Sequence, residues 1–173
     1  MATLPILEIP HPKLRKRAKK VRGFDKSMKK LAYDMVDTMH EAGGVGLAAN
    51  QVGQLWRIIV LQMPEEEEAR IYFDPEIIRN VGMREVEEGC LSLPKYVNHI
   101  KRAEKITLAG LDRIGKPFTL EGEGLLARAM QHEYDHVQGI LMLDRLSPLK
   151  RSLYIKRVKK LEKIRANEHA AVA

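Results

Sequence analysis

The chain has 173 residues, of which 45% are hydrophobic and 31% charged. That is the make-up of one soluble domain with one core, here residues 1–173, and no run approaches the roughly 18 apolar residues of a membrane span. One cysteine, Cys90, excludes an internal disulfide and suits a reducing compartment, so the expected location is cytoplasmic. The net charge of +7 is unevenly placed: residues 1–30 carry 10 Lys or Arg against 2 acids, residues 145–173 carry 9 against 2, and the stretch between carries 11 against 19. Basic ends around an acidic centre suggest attachment to a polyanion, with solvated helical faces as the plainer alternative.

In chain order, the basic first thirty residues could pass for an organelle presequence, but Pro5, Pro10 and Pro12 interrupt them and they are read as part of the folded domain. Asp25 is placed to cap a first helix whose Met28, Leu31, Ala32, Met35, Val36 and Met39 share a face, with Gly43-Gly44 ending it. Trp56 to Met63 reads as a buried strand, Pro64 as a turn and Glu65 to Glu68 as a solvated loop. Short strands fit Ile71 to Phe73, Arg84 to Glu87, Lys105 to Leu111 and Pro117 to Glu121, with Asp112 to Gly115 turning between the last two. A second helix follows, in which Leu125, Leu126, Ala129 and Met130 recur at helical spacing and Gly139 marks the stop. Ser147 and Pro148 then start a basic helix and tail over 148–173, with Tyr154, Val158, Leu161 and Ile164 as a narrow stripe among lysines. Strands flanked by helices, not alternating with them, indicate α+β: mainly antiparallel sheets around the second helix, with one N-terminal and one C-terminal helix.

That second helix carries His132, Glu133 and His136 as His-Glu-x-x-His. Positions i and i+4 lie on one helix face, so both imidazoles can grip one divalent metal while Glu133 sits beside its water, an arrangement for metal-assisted hydrolysis. With 6 His and 16 Glu in the chain, chance would produce the pattern about twice in a hundred such sequences. A hydrolytic site usually has three protein ligands and an open position. Met142 stands where a metzincin would place its third His. Glu162, in a Lys-rich stretch, could serve as the acid of a thermolysin-like site but fits a solvated salt bridge better. Cys90 would ordinarily be a small buried hydrophobe; beside a two-histidine motif short of a ligand, it is the better candidate.

Three segments, Gly44-Val45-Gly46-Leu47-Ala48-Ala49-Asn50-Gln51, Glu88-Gly89-Cys90-Leu91-Ser92 and Gln131-His132-Glu133-Tyr134-Asp135-His136, resemble the three signature motifs of the peptide deformylases, in that family's order. The likeness includes Ile6 to Val21 and Gly124 to Pro148, and so nearly the whole chain apart from the C-terminal tail. It implies hydrolysis of the N-formyl group from the initiator methionine of nascent polypeptides, with one divalent metal, Fe(II) first and Zn(II) or Ni(II) as possibilities, held by Cys90, His132 and His136. A thiolate ligand lowers the net site charge, softens the metal and leaves the site oxidisable. Glu133 would take a proton from water and hand it to the leaving amine. By the same resemblance, the Gln51 amide and the Leu91 N–H would stabilise the oxyanion. Gly46 and Gly89 would let an extended peptide pair along the cleft, and Val45, Val86, Leu125 and Ala129 would wall an apolar side chain. Arg102 is assigned to the substrate-binding residues, in an ion pair with Glu88 either behind the metal ligands or at the cleft entrance, with a plain surface salt bridge as the alternative. Two departures, Asp74 where the family often has Asn and Arg128 where some members are apolar, bear on substrate preference and not on the reaction. Family members of similar layout also dock on the ribosome through a C-terminal helix, which the basic tail would do here; no DNA or membrane partner is expected. Two alternatives stand beside this reading: a zinc endopeptidase using Glu162, and a ribosome- or RNA-binding module with a structural metal.

Overall fold

The computed structural model describes residues 2–172; Met1 and Ala173, the ends of the expected domain, lie outside the described residues. Three helices, α1 (Lys26–Glu41), α2 (Gly124–Val137) and α3 (Pro148–Val172), accompany seven strands: β1 (Gly46–Ala48), β2 (Ile58–Leu61), β3 (Arg70–Val81), β4 (Arg84–Cys90), β5 (Leu93–Arg102), β6 (Lys105–Leu111) and β7 (Pro117–Glu123). Five strands form one sheet in the order β1-β2-β3-β6-β7, and β4-β5 form a separate two-stranded sheet. Every named strand pair is antiparallel, so the expected α+β architecture holds. No helix among the described residues is long and apolar enough to cross a membrane.

The large sheet is covered on both faces, and β2 shows how. Ile58 and Val60 point to the α1 side, where they meet Ala32, Met35 and Met39. Ile59 and Leu61 point to the α2 side, where they meet Ala127, Ala129 and Met130. A strand with period-2 side chains and two helical covers must be apolar at every position, and Ile-Ile-Val-Leu is fully buried throughout. The metal-motif helix is thus a core element, fixed along one side by packing and free to present its other side to a cleft.

A third core cluster lies under the β4-β5 hairpin, where Val86, Leu93 and Ile100 pack with Leu14, Leu141, Leu143 and Tyr154. It ties the start of α3 to the body, helped by the Tyr96 and Tyr154 rings, whose centroids are 3.8 Å apart. Further along α3 the contacts thin out: Leu161 and Ile164 of the expected stripe are 47% and 44% exposed. Several strands depart from their expected bounds. β2 is shorter, β3 begins one residue earlier and runs eight residues further than the strand read from Ile71 to Phe73, β4 extends to Cys90, and β1 and β5 were not anticipated.

Candidate metal centre

Each element delivers its functional residue for a local reason. Asp25 caps α1 by accepting from the Met28 N–H at 3.0 Å, and α1 leads into the Gly43-Gly44 turn before β1. Helix α2 begins directly after β7 and stops where Gly139 adopts φ +77°; a Cβ there would also lie 2.6 Å from the Arg15 carbonyl oxygen, so the stop needs glycine twice over. Gln131 fastens the middle of α2 to the end of the hairpin, accepting from the Ala103 N–H at 2.9 Å and donating to the Ala103 carbonyl at 3.0 Å. At its far end Arg57, buried, donates to Gln138 Oε1 at 3.0 Å and lies over the Tyr134 ring. His132 and His136 are therefore presented by a helix held at both ends and at its middle.

The hairpin brings Cys90 to them. Its Sγ lies 3.4 Å from His136 Nε2, which is 3.1 Å from His132 Nε2, and the three donor atoms all fall within 4.8 Å of one another. Ligands about 2.0 to 2.3 Å from a tetrahedral ion stand roughly 3.3 to 3.6 Å apart, so the set fits a dication. Electrostatics agree. Burial works against a charge on His132, but Cys90, Glu88 and Glu133 outweigh it and move its pKa well above the ordinary imidazole value; the pocket is built to hold positive charge. Among the described residues only these three gather as ligands, which leaves the open fourth position of a catalytic site and not the closed shell of a structural one.

Behind His132, its Nδ1 hydrogen-bonds Glu88 Oε1, which fixes the ring so that Nε2 faces Cys90. Burial would raise the Glu88 pKa, but its bonds with His132 and Arg102 hold it down at about 2. Arg102 forms the expected ion pair with Glu88, but not on the substrate wall. It is instead 3% exposed and turned inwards, giving Glu88 two hydrogen bonds at 3.1 and 2.7 Å and Asp135 one at 2.6 Å. A guanidinium claimed by two buried carboxylates faces them and not the cleft. Asp135, which sequence reasoning passed over, also accepts from Arg145 Nε and Nη2 at 2.6 and 2.7 Å. The only hint of it was an acid inside the helix motif beside a metal ligand.

The cleft over the donor set has a volume of about 420 Å³. Of the expected residues, Gln51, Val45, Gly46, Gly89, Leu91, Leu125, Ala129 and Glu133 line it. Val86 does not: it is buried in the hairpin's core cluster and borders the neighbouring groove. Gln51 is aimed by its Oε1, which accepts from the Ala48 N–H at 2.9 Å, while its Nε2 lies 3.1 Å from Ser92 Oγ and 3.8 Å from Cys90 Sγ. Glu133 Oε2 is buried with no hydrogen-bond partner among the described residues. Burial, reinforced by Glu88 and only partly offset by His132, raises its pKa to about 7, where a group can both take up and release a proton at neutral pH. Gly46 makes room for it: a Cβ at that position would stand 2.7 Å from Glu133 Oε1 and 2.9 Å from its Cγ. Gly46→Ala is accordingly expected to displace the carboxylate and lower kcat at least tenfold, with metal content retained, as a 1 Å misplacement can cost about 100-fold; steady-state kinetics beside metal analysis reads both.

Comparison with known proteins places this geometry. The family model described as polypeptide deformylase matches residues 3–152. A peptide deformylase of Dehalococcoides mccartyi is 47% identical over 146 residues, spanning 84% of this chain and 87% of that one. The crystal structure of a peptide deformylase from Legionella pneumophila superposes with a TM-score of 0.88 at 46% identity, covering 95% of this chain and 98% of its own. A peptide deformylase from Ehrlichia chaffeensis in complex with actinonin does so at 0.88 and 38% identity, covering 94% and 99%.

Proposed function

The chain belongs to the polypeptide deformylase family, and on that premise we propose that Cys90, His132 and His136 hold one divalent metal, Glu133 moves the proton, and Gln51 with the Leu91 N–H steadies the oxyanion. The enzyme hydrolyses the N-formyl group from the initiator methionine of new polypeptides, giving formate and a free amino terminus. The observation that carries the assignment of roles is the convergence of one thiol and two imidazoles under an open cleft. Neither the endopeptidase nor the binding-module alternative has support: Glu162 borders a different groove, near Ile9 and Leu141, and the donor set is open.

When bound, the dication supplies Lewis acidity, which brings the pKa of a water from about 15.7 toward about 7 and makes hydroxide available at neutral pH. The protein's own groups do the rest. An extended peptide lies between Gly44–Gly46 and Glu87–Leu91, its first side chain against Val45, Leu125 and Ala129. Glu133 Oε2 accepts one proton of the attacking water and passes it to the departing amine nitrogen; the second proton leaves with the acid product, so the count closes on formate and a protonated amino terminus at neutral pH. As the formyl carbon becomes tetrahedral, Gln51 Nε2 turns from Ser92 to donate to the developing oxyanion, beside the Leu91 N–H; one such donor is worth about 2.7 to 4 kcal/mol in the transition state. Formate release from a formyl-Met peptide, set against internal cleavage of a blocked peptide, tests the reading: cleavage without formate would replace it with an endopeptidase.

Imidazole with thiolate suits Fe(II), Zn(II) and Ni(II) alike. Fe(II) is the ion we assign, and metal analysis of protein purified without oxygen decides it. The cytoplasm is the compartment we assign, since a thiolate ligand needs reducing surroundings and the substrate is a new chain. The ribosome is the partner we assign to α3. Its inner face is anchored through Tyr154 and Val158, so its exposed face, with Lys156, Arg157, Lys159 and Lys160, can be presented without unfolding the body. Changing those four to Glu is expected to keep short-peptide hydrolysis while abolishing co-sedimentation with ribosomes. If about 6 to 10 phosphates are engaged, the wild-type contact should itself weaken by orders of magnitude between 50 and 200 mM salt. Unaltered co-sedimentation of the four-Glu variant would reduce the tail to a solvated face.

A further inference from the structure

The wall that α2 gives to the cleft is built from Leu125, Arg128, Ala129, His132 and Glu133, one continuous helix face at i, i+3, i+4, i+7 and i+8. Its outer part is apolar except for Arg128. Arg128 is partly buried as a residue and borders both the metal cleft and an adjoining groove of about 680 Å³. Of the carboxylates lining the cleft, Glu88 pairs with Arg102 and His132, Glu87 lies 3.9 Å from His99 and Glu133 is turned toward Gly46; Glu85, Glu104 and Glu123 line the adjoining groove. Among the described residues no carboxylate comes within 4 Å of Arg128, and no protein acceptor receives a hydrogen bond from it. A planar cation with five N–H donors and no partner among the described residues is open to an anion from outside.

From this we infer that Arg128 is a specificity-determining residue of the deformylase reaction, favouring substrates with an aspartate or glutamate at the second to fourth residue; the inference rests on the deformylase reading above. Distance selects those positions. Four residues of helix separate Arg128 from His132, about 6 Å along the axis, and helical side chains lean toward the N-terminus, further from the metal ligands. An extended chain advances about 3.3 Å per residue. At that remove the guanidinium clears the formyl group; Leu125 and Ala129 beside it take the first side chain, and the long stem carries the charge past them to the residues beyond. Lys95, exposed on β5 and also lining the cleft, adds a second positive charge to the mouth. A planar, two-pronged donor suits a carboxylate better than a lone hydroxyl, which is why the predicted partner is acidic and not merely polar.

The test uses metal-loaded enzyme and formyl-Met tetrapeptides carrying a single Asp, Ser or Lys at the second, third or fourth position, with kcat/KM read from formate release. At 50 mM salt the wild type is expected to favour Asp over Lys about 3- to 10-fold at one of these positions, the effect of an ion pair at a partly screened site, and the difference should lie mainly in KM. The ratio should fall to about one in Arg128→Ala, invert in Arg128→Glu and keep its direction in Arg128→Lys. Alanine is well tolerated in helices, and metal content verifies that the site is intact. The same Asp-to-Lys ratio in Arg128→Ala as in the wild type, or a wild type indifferent to charge at all three positions, overturns the inference while leaving the deformylase reading standing. Absence of formate from every peptide overturns that reading itself.

Discussion

Cys90→Ala is expected to lose metal and formate release together. Removing a residue that only orients a ligand typically weakens metal binding 10- to 100-fold, so removing a donor should exceed about 100-fold, and the two histidines left on α2 cannot compensate from one helix face. Cys90→Asp restores an anionic donor, but a harder oxygen one placed differently from the sulfur, and is expected to keep part of the metal with poor turnover. Metal content per chain and formate release, measured on the same anaerobic preparations, read the result. A fully metallated and active Cys90→Ala protein would remove the thiol from the site and leave its 3.4 Å approach to His136 Nε2 without a purpose.

Glu133→Ala has the opposite signature: metal retained, rate lost. The side chain is buried, its Oε2 is without a partner among the described residues, and its pKa is raised to about 7 chiefly by burial. Those are the attributes of a group that exchanges a proton with something entering the cleft. Positioned proton transfer contributes about 10²- to 10⁴-fold, and kcat should fall by that much or more, because the same carboxylate serves the attacking water and the leaving amine. Glu133→Gln, which keeps the shape but not the proton chemistry, should fall nearly as far. An empty site in either variant would show Glu133 to be a ligand and defeat the assignment.

The active helix was legible in the sequence because its chemistry and its packing share one periodicity: His132, Glu133 and His136 ride on the same turns that bury Ala127, Met130 and Val137. Cys90 was legible by its rarity. What escaped were segments whose structure depends on distant partners. In β3, Asp74 at φ 50° and the following Pro75 read as an ending, yet pairing with β6 carries the strand through a register shift between Phe73 and Glu76 and on to Val81. In β5, the side chains turned inward include Arg102 beside Leu93 and Ile100; the charged one is at home only because Glu88 and Asp135 meet it, so the strand lacks the alternation that would have announced it. Three-residue β1 is recognisable only through β2 beside it. For Arg102 itself, an inward or outward direction could not be told from the sequence, since both are ordinary for an arginine until its neighbours are known.

The large sheet ends at β1, and β4 belongs to a separate pair. The cleft runs between these two borders, with Gly44 to Gly46 on one bank and Glu87 to Cys90 on the other. A peptide bound there as proposed would meet main-chain donors and acceptors on both sides, and past its formylated first residue the only feature it must share with every other occupant is a polypeptide backbone. For an enzyme whose clientele is the whole output of translation, that is a way of being indifferent to the message: proteins with nothing in common past their first residue are gripped by the one thing they all possess. On the inference drawn for Arg128, side-chain contacts would then set the order in which chains are served, not which chains are admitted.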